Sequence, residues 1–125
     1  MEIVDSHCHV SLVWFQPVET LLHEMDRNGV HRAVLIQMMG QTDNAYQHEC
    51  VRRFPDRFAS VVLVDHTRAD AVQELRRWLD DGATGLRLAP GARSPGEDPL
   101  AIWREAGRLG VTVSCLLGSH GCIAG

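Results

Sequence analysis

ASVVLVDHTRADAVQELRRWLDDGATGLRL, residues 59–88, indicates the fold class more clearly than any other stretch of the chain. It begins with a β-branched apolar run, residues 59–64, and ends with a second run, residues 84–88. Between them, apolar residues recur at the helical spacings of three and four, at Val72, Leu75 and Leu79. The stretch therefore predicts a strand, a helix that ends at Gly82 and a second strand, which is the repeating unit of a parallel sheet.

The same alternation extends through the rest of the chain. Apolar runs at residues 3–10, 33–36 and 111–117 predict three further strands. Helical patterns bounded by Pro17 and Gly29, by Asp43 and Phe54, and by Asp98 and Gly110 predict three further helices. The order βαβαβαβαβ indicates an α/β domain in which helices join five parallel strands.

Two architectures fit five such strands: a small doubly wound sheet of the flavodoxin type, and the first part of a (β/α)8 TIM barrel. The residues after Leu117 are GSHGCIAG, three of them glycines. This tail is too short and too rich in glycine to form the helix that covers the fifth strand of a complete doubly wound sheet. We therefore expect residues 1–125 to be one partial barrel domain, truncated after strand five.

Composition and charge limit the classes of function. The 125 residues are 45% hydrophobic and 22% charged, which fits one globular domain. With 12 basic and 16 acidic residues the formal net charge is −4, so we expect no binding to nucleic acid or to a membrane. Glu2 and Asp5 lie where an export signal needs a basic start and an apolar run. We expect a cytoplasmic protein whose four cysteines are reduced.

The end of the first strand carries a candidate metal site. Strand alternation predicts that Asp5, His7 and His9 share one face, with Cys8 turned away as a packed thiol. Two imidazoles so close in sequence can approach one cation, and neutral imidazole suits a divalent transition metal such as zinc. Two histidines alone make an incomplete site, because tight binding needs at least one further protein ligand.

The opening IVDSHCHV, residues 3–10, followed by the segments at residues 29–36, 55–58 and 82–88, resembles the amidohydrolase superfamily, and more narrowly amidohydrolase family 2. The resemblance implies a metal-dependent hydrolase of a small amide, lactone or carboxylate, with His7 and His9 as metal ligands and zinc as the expected ion. A carbon–carbon lyase (decarboxylase) of the same family is the alternative.

The resemblance also implies residues that this chain lacks. Such enzymes carry further histidines at the ends of strands five and six, and an aspartate base at the end of strand eight. His120 follows strand five, but its glycine-rich surroundings favour a loop residue. No residue is assigned as catalytic, and we expect the isolated chain to be inactive.

Other charged and polar residues fall at strand ends. Arg87 lies between Leu86 and Leu88, so alternation points it into the barrel, where it either binds a substrate carboxylate or pairs with a structural one. Gln37, Asp65 and His66 follow strands two and three without a feature that singles them out. Surface positions are expected for the remaining histidines, His23, His31 and His48.

A barrel portion of five strands leaves two strand edges unpaired. By alternation we expect Ala33, Leu35 and Val113 to face the barrel interior, where the absent strands would leave them exposed. We therefore expect the chain to self-associate through its open sheet edges. Two readings outside the enzyme class stay open: a non-catalytic fragment, and a five-stranded signalling-type domain.

Overall fold

The computed structural model describes residues 1–115, over which five strands and four helices alternate. The strands are β1 (Val4–Cys8), β2 (Arg32–Ile36), β3 (Phe58–Leu63), β4 (Gly85–Arg87) and β5 (Thr112–Ser114). The helices are α1 (Val18–Asn28), α2 (Ala45–Arg53), α3 (Ala71–Asp80) and α4 (Ala101–Leu109). Each strand begins within one residue of its predicted start. The end of predicted strand five and His120 lie outside the described residues.

The strand order distinguishes between the two predicted architectures. All strand pairs are parallel and follow the chain, β1-β2-β3-β4-β5. A doubly wound sheet reverses its strand order at a switch point, whereas a (β/α)8 barrel adds its strands in sequence. The described chain is therefore a half-barrel. The prediction of a partial barrel is confirmed, and the alternatives of a doubly wound sheet and of a signalling-type domain are excluded for the described residues.

Two glycines end helices as the sequence pattern predicts. Gly29 and Gly110 follow α1 and α4 with φ angles of 71° and 68°, in the left-handed region that favours glycine. α2 begins at Ala45, two residues after the predicted start at Asp43. The reason is local, because the Asp43 carboxylate accepts from the Ala45 backbone N–H at 3.0 Å and forms a turn before the helix.

The apolar core lies between the sheet and the helices, in two clusters. One joins β3 and β4 to α3 and α4, and the other joins β1 and β2 to α1 and α2. Ala33 and Leu35 belong to the second cluster, and Val113 packs against the first. The prediction that these three residues face the barrel interior is therefore wrong. Alternation defines two faces of a strand, but it does not say which of them the helices cover.

His48 corrects a second prediction. It is 2% exposed, and its Nε2 lies 2.7 Å from the Asp81 carbonyl oxygen while its ring contacts Trp78. The buried face of α2 carries polar side chains, which hydrogen-bond to β3 and to the end of α3. A search for apolar periodicity assigns such polar side chains to the surface. His23 and His31 are exposed, as predicted.

Within residues 1–115, no helix has the length and apolar character required to cross a bilayer.

Candidate active site

The carboxyl ends of the strands bring the predicted site residues to one rim of the half-barrel. His7 lies in β1, and His9 follows its end. Arg87 is the last residue of β4, and Gln37 comes directly after β2. Parallel α/β folds build their binding sites at this rim, because side chains from successive strand ends meet there.

The two histidine rings lie next to each other. Their centroids are 4.9 Å apart and their planes are nearly perpendicular, at 88°. His9 Nδ1 lies 2.6 Å from the Ile36 carbonyl oxygen. Because a carbonyl only accepts, Nδ1 carries a proton, and Nε2 is the ring nitrogen that can face a metal ion. A backbone carbonyl hydrogen-bonded to one ring nitrogen is a usual arrangement for a histidine that ligates a metal through the other.

The surroundings of His7 favour its neutral form. Partial desolvation lowers the pKa of His7, and the nearby charges of His9 and Arg87 lower it further. Neutral imidazole is the form that binds a metal ion. The electrostatics of His7 therefore agree with the chemistry expected of a ligand.

Asp5 does not join the histidines. The strand ladder shifts register between Asp5 and Cys8, so strict alternation fails across this stretch. The Asp5 carboxylate instead accepts from the His7 backbone N–H at 3.0 Å and from the Cys8 thiol, and these hydrogen bonds lower the pKa of Asp5. Burial raises the pKa of Cys8 to about 12, with Asp5 adding to the effect. The neutral thiol packs against the core cluster of α1 and α2, as expected.

The two histidines fit a divalent transition ion in donor type and in the orientation of His9. Among residues 1–115, no three side chains of His, Cys, Asp or Glu converge on a common point. Two imidazoles alone are an incomplete donor set, because tight binding of such an ion needs at least one further ligand.

Arg87 is a buried cation. It is 5% exposed, and its Nη1 donates to the Gln37 carbonyl oxygen at 2.8 Å. Its Nε is buried and has no hydrogen-bond partner in the described part of the chain. No carboxylate of residues 1–115 forms an ion pair with it. Leu86 and Leu88 on either side pack against the helices, so Arg87 occupies the opposite, inner face.

Buried amides fix the backbone that binds Arg87. The Gln37 side chain donates to the Asp43 carbonyl at 2.9 Å and accepts from the Met38 N–H at 2.8 Å. Asn44 is fully buried and hydrogen-bonds both the N–H and the carbonyl of Leu63, the register neighbour of Arg87. Sequence reasoning missed the role of Asn44, although a polar residue in phase with the buried face of α2 is a signal that could have found it.

Asp65 and His66 organise loops at the same rim. The Asp65 carboxylate accepts from the Thr67 backbone N–H at 3.0 Å and from its hydroxyl at 2.5 Å. His66 Nδ1 lies 3.0 Å from the Arg93 carbonyl oxygen, which ties the loop after β3 to the loop after β4. These hydrogen bonds give both residues a structural part in the rim.

The sequence of the half-barrel also matches a known family. The family model described as Amidohydrolase, amidohydrolase family 2, matches residues 4–124. The chain belongs to amidohydrolase family 2. No curated protein matches this amidohydrolase chain.

Solved structures share the fold of this amidohydrolase chain at low sequence identity. A probable 2-pyrone-4,6-dicarboxylic acid hydrolase from Acinetobacter baumannii, with citric acid bound, has a TM-score of 0.76 and 21% identity, over 99% of this chain and 52% of its own. The 2,6-dihydroxybenzoate decarboxylase from Rhizobium gives 0.66 and 19%, over 90% and 49%. The 4-oxalomesaconate hydratase from Rhodopseudomonas palustris gives 0.65 and 14%, over 89% and 51%. The chain spans about half the length of these proteins.

Proposed function

We propose that this chain provides the N-terminal half of the active site of a metal-dependent amidohydrolase that hydrolyses a small substrate bearing a carboxylate. The observation that carries the proposal is the buried guanidinium of Arg87, which has no carboxylate partner among residues 1–115 and whose charge acts on His7. Family membership supports the reaction class, and Arg87 supports the substrate class.

The energetics of burial favour an anionic ligand at Arg87. Removing a charge from water is unfavourable unless hydrogen bonds and an opposite charge offset the loss of hydration. A single carbonyl acceptor leaves Nε without a partner. A substrate carboxylate can accept two parallel hydrogen bonds from a guanidinium and neutralise its charge, which is why arginine suits this role better than lysine.

His7 and His9 are the residues that would hold the metal ion, and zinc is the ion that we expect. A divalent ion at this rim would supply Lewis-acid activation of the substrate or of water. The hydrogen bond from His9 Nδ1 to the Ile36 carbonyl would keep the ring in the ligand orientation, and the depressed pKa of His7 would keep it neutral. The proton-transferring base remains unassigned in the described part of the chain.

Carbon–carbon cleavage is the second candidate reaction. The similar structures are named for carboxylic acids, 2-pyrone-4,6-dicarboxylic acid, 2,6-dihydroxybenzoate and 4-oxalomesaconate, and they include a hydrolase, a decarboxylase and a hydratase. All three named compounds carry carboxylates, which supports the carboxylate part of the proposal. The names do not distinguish hydrolysis from carbon–carbon cleavage. The cytoplasmic location stays a prediction.

The metal site can be tested by zinc binding to the purified chain. We expect His7→Ala/His9→Ala to abolish the weak zinc binding that two imidazoles provide, measured by titrating the purified chain with zinc up to millimolar concentration. His23→Ala is the matched control, since His23 is exposed on α1. Undiminished zinc stoichiometry in the double variant would refute the assignment of these two ligands.

The anion site can be tested with citrate. Arg87→Gln and Arg87→Lys should both weaken citrate binding, because neither side chain reproduces the paired N–H donors. Arg32→Gln is the control, because this exposed arginine pairs with Glu2 away from the rim. Citrate affinity that is the same in Arg87→Gln as in the unmodified chain would contradict the proposal.

A further inference from the structure

The loop between β1 and α1, residues 9–17, is held in shape by hydrogen bonds of Ser11. The Ser11 backbone N–H donates to the Gln16 carbonyl at 3.0 Å, which closes the loop on itself. The Ser11 hydroxyl oxygen accepts from two backbone N–H groups of the loop, both at 3.1 Å. Phe15 lies inside the closed part of the loop, so its backbone position is fixed although the residue is 52% exposed.

The two aromatic rings of the loop have different surroundings. The Phe15 ring lies against the His9 ring, with centroids 4.9 Å apart and planes inclined by 31°. Centroids of aromatic pairs in offset or tilted contact are typically ~4.5–7 Å apart. Trp14 is 72% exposed and lines a cavity of about 240 Å³ between the loop and the start of α2. Phe15 therefore contacts a candidate metal ligand, whereas Trp14 lies beside a separate hollow.

The orientation of the His9 ring depends on more than its hydrogen bond. The contact from His9 Nδ1 to the Ile36 carbonyl oxygen, at 2.6 Å, fixes one atom of the ring. Because hydrogen bonds to a carbonyl accept a broad range of directions, the ring could still tilt about the line from Nδ1 to that oxygen. The neighbouring His7 side chain is exposed and gives the ring little support. The Phe15 ring lies close to the face of the imidazole and limits this tilt.

We propose that Phe15 is a positioning residue of the metal site, whose ring holds the plane of the His9 imidazole so that Nε2 faces the ion. This inference rests on the proposed function, because it requires His9 to be a ligand. A ligand that is held in its bound orientation beforehand loses less conformational freedom when the ion binds. The β1–α1 loop therefore contributes to metal affinity through Phe15, although Phe15 itself has no donor atom.

The first test is zinc titration of the purified chain. Phe15→Ala should weaken zinc binding roughly two- to tenfold, the range that one aromatic contact provides. Phe15→Tyr keeps the ring and should restore the affinity. Trp14→Ala is the matched control, because it removes an exposed ring from the same loop and should leave the affinity unchanged. Far-ultraviolet circular dichroism should show the same fold in all three variants, since both rings are at least half exposed.

The second test observes the His9 ring without any metal. Long-range proton–nitrogen NMR spectra of the chain with isotope-labelled histidine, recorded at alkaline pH, distinguish the two neutral tautomers of each ring. The signals that disappear in His9→Gln belong to His9, and in the unmodified chain they should report the Nδ1–H tautomer. Phe15→Ala should shift them toward a mixture of both tautomers, because a tilting ring weakens the hydrogen bond to Ile36. Phe15→Tyr and Trp14→Ala should keep the Nδ1–H pattern.

The outcomes separate this inference from the proposed function. The positioning role is overturned if either the zinc affinity or the His9 tautomer pattern is the same in Phe15→Ala as in the unmodified chain. An equal loss of affinity in Trp14→Ala overturns it as well, because the loss then comes from the loop and not from the ring contact. Failure of the unmodified chain to bind zinc, or zinc binding that persists in His7→Ala/His9→Ala, overturns the proposed metal site itself. The tautomer spectra then still decide whether Phe15 orients His9.

Discussion

Replacing Asn44 by alanine should destabilise the chain more than any exposed polar substitution. Asn44 is 0% exposed; its Nδ2 donates to the Leu63 carbonyl at 2.9 Å, and its Oδ1 accepts from the Leu63 N–H at 3.2 Å. The Asn44 side chain thereby makes two hydrogen bonds to the Leu63 backbone at a point where β2 has already ended. Alanine leaves both backbone groups of Leu63 without these partners in the interior.

The magnitude follows from those two groups. A buried backbone group that loses its partner costs about 1–3 kcal/mol, so for two such groups we expect a loss of roughly 2–6 kcal/mol in the free energy of unfolding. This is a large share of the ~5–15 kcal/mol that holds a typical domain folded. The measurement is urea unfolding of the purified chain, followed by far-ultraviolet circular dichroism.

Asn28 supplies the matched control for this measurement. Its side-chain amide donates to the Glu24 carbonyl at 2.8 Å, but at an exposed position on α1. Water can replace that hydrogen bond, so Asn28→Ala should change the free energy of unfolding by no more than about 0.5 kcal/mol. A loss below about 1 kcal/mol in Asn44→Ala, or one no larger than in Asn28→Ala, would show that the buried amide does not support β3 as argued here.

Three further predictions concern packing, pH and association. A Cβ at Gly85 would lie 2.9 Å from both the Thr112 carbonyl oxygen and Val61 Cγ2, so Gly85→Ala should cost about 1–3 kcal/mol in urea unfolding. Gly107→Ala, whose Cβ meets no atom within 4 Å, should be neutral or stabilising, and equal losses would contradict the packing argument. Arg108 and Arg76 lower the pKa of Glu105 from 4.5 to about 2, so the stability from these contacts is present above pH 4.5 and is lost as the pH falls toward 2. Glu105→Gln should flatten that part of the stability curve, whereas the exposed Glu97→Gln should not; a curve of unchanged slope in Glu105→Gln would refute the linkage. Because the outer edges of β1 and β5 are unpaired within residues 1–115, we expect the average mass from size-exclusion chromatography with light scattering to rise with concentration, and a constant monomer mass would contradict this.

Much of the fold could be predicted from local sequence alone. β-branched runs locate the strands, and Gly29 and Gly110 end helices where their left-handed conformations require glycine. The apolar residues Leu86 and Leu88 flank Arg87 and pack under the helices. The sequence therefore places Arg87 correctly on the inner face of β4. The helix-covered face of β2 was assigned wrongly, because alternation carries no information about which side the helices occupy.

The candidate site was predictable only in part. His7, His9 and Arg87 could be named because their charge or ligand chemistry stands out at the strand ends. The separation of Asp5 from the histidines depends on a register shift in β1, which no sequence pattern specified. The contact between Phe15 and His9, and the carbonyl of Gln37 that accepts from Arg87, depend on backbone and loop positions that only the folded chain defines.

The strand order also has a consequence for how the chain acquires its structure during synthesis. Each strand pairs with the one made just before it, so that Val61 meets Gly85, 24 positions later, and Val4 meets Arg32, 28 positions later. In the described sheet, each strand pairs only with strands adjacent to it in sequence. Contacts of short sequence separation form fast, and nascent chains fold from their N-terminal end. The sheet can therefore grow by one strand at a time at a single advancing edge, as each strand–helix unit leaves the ribosome.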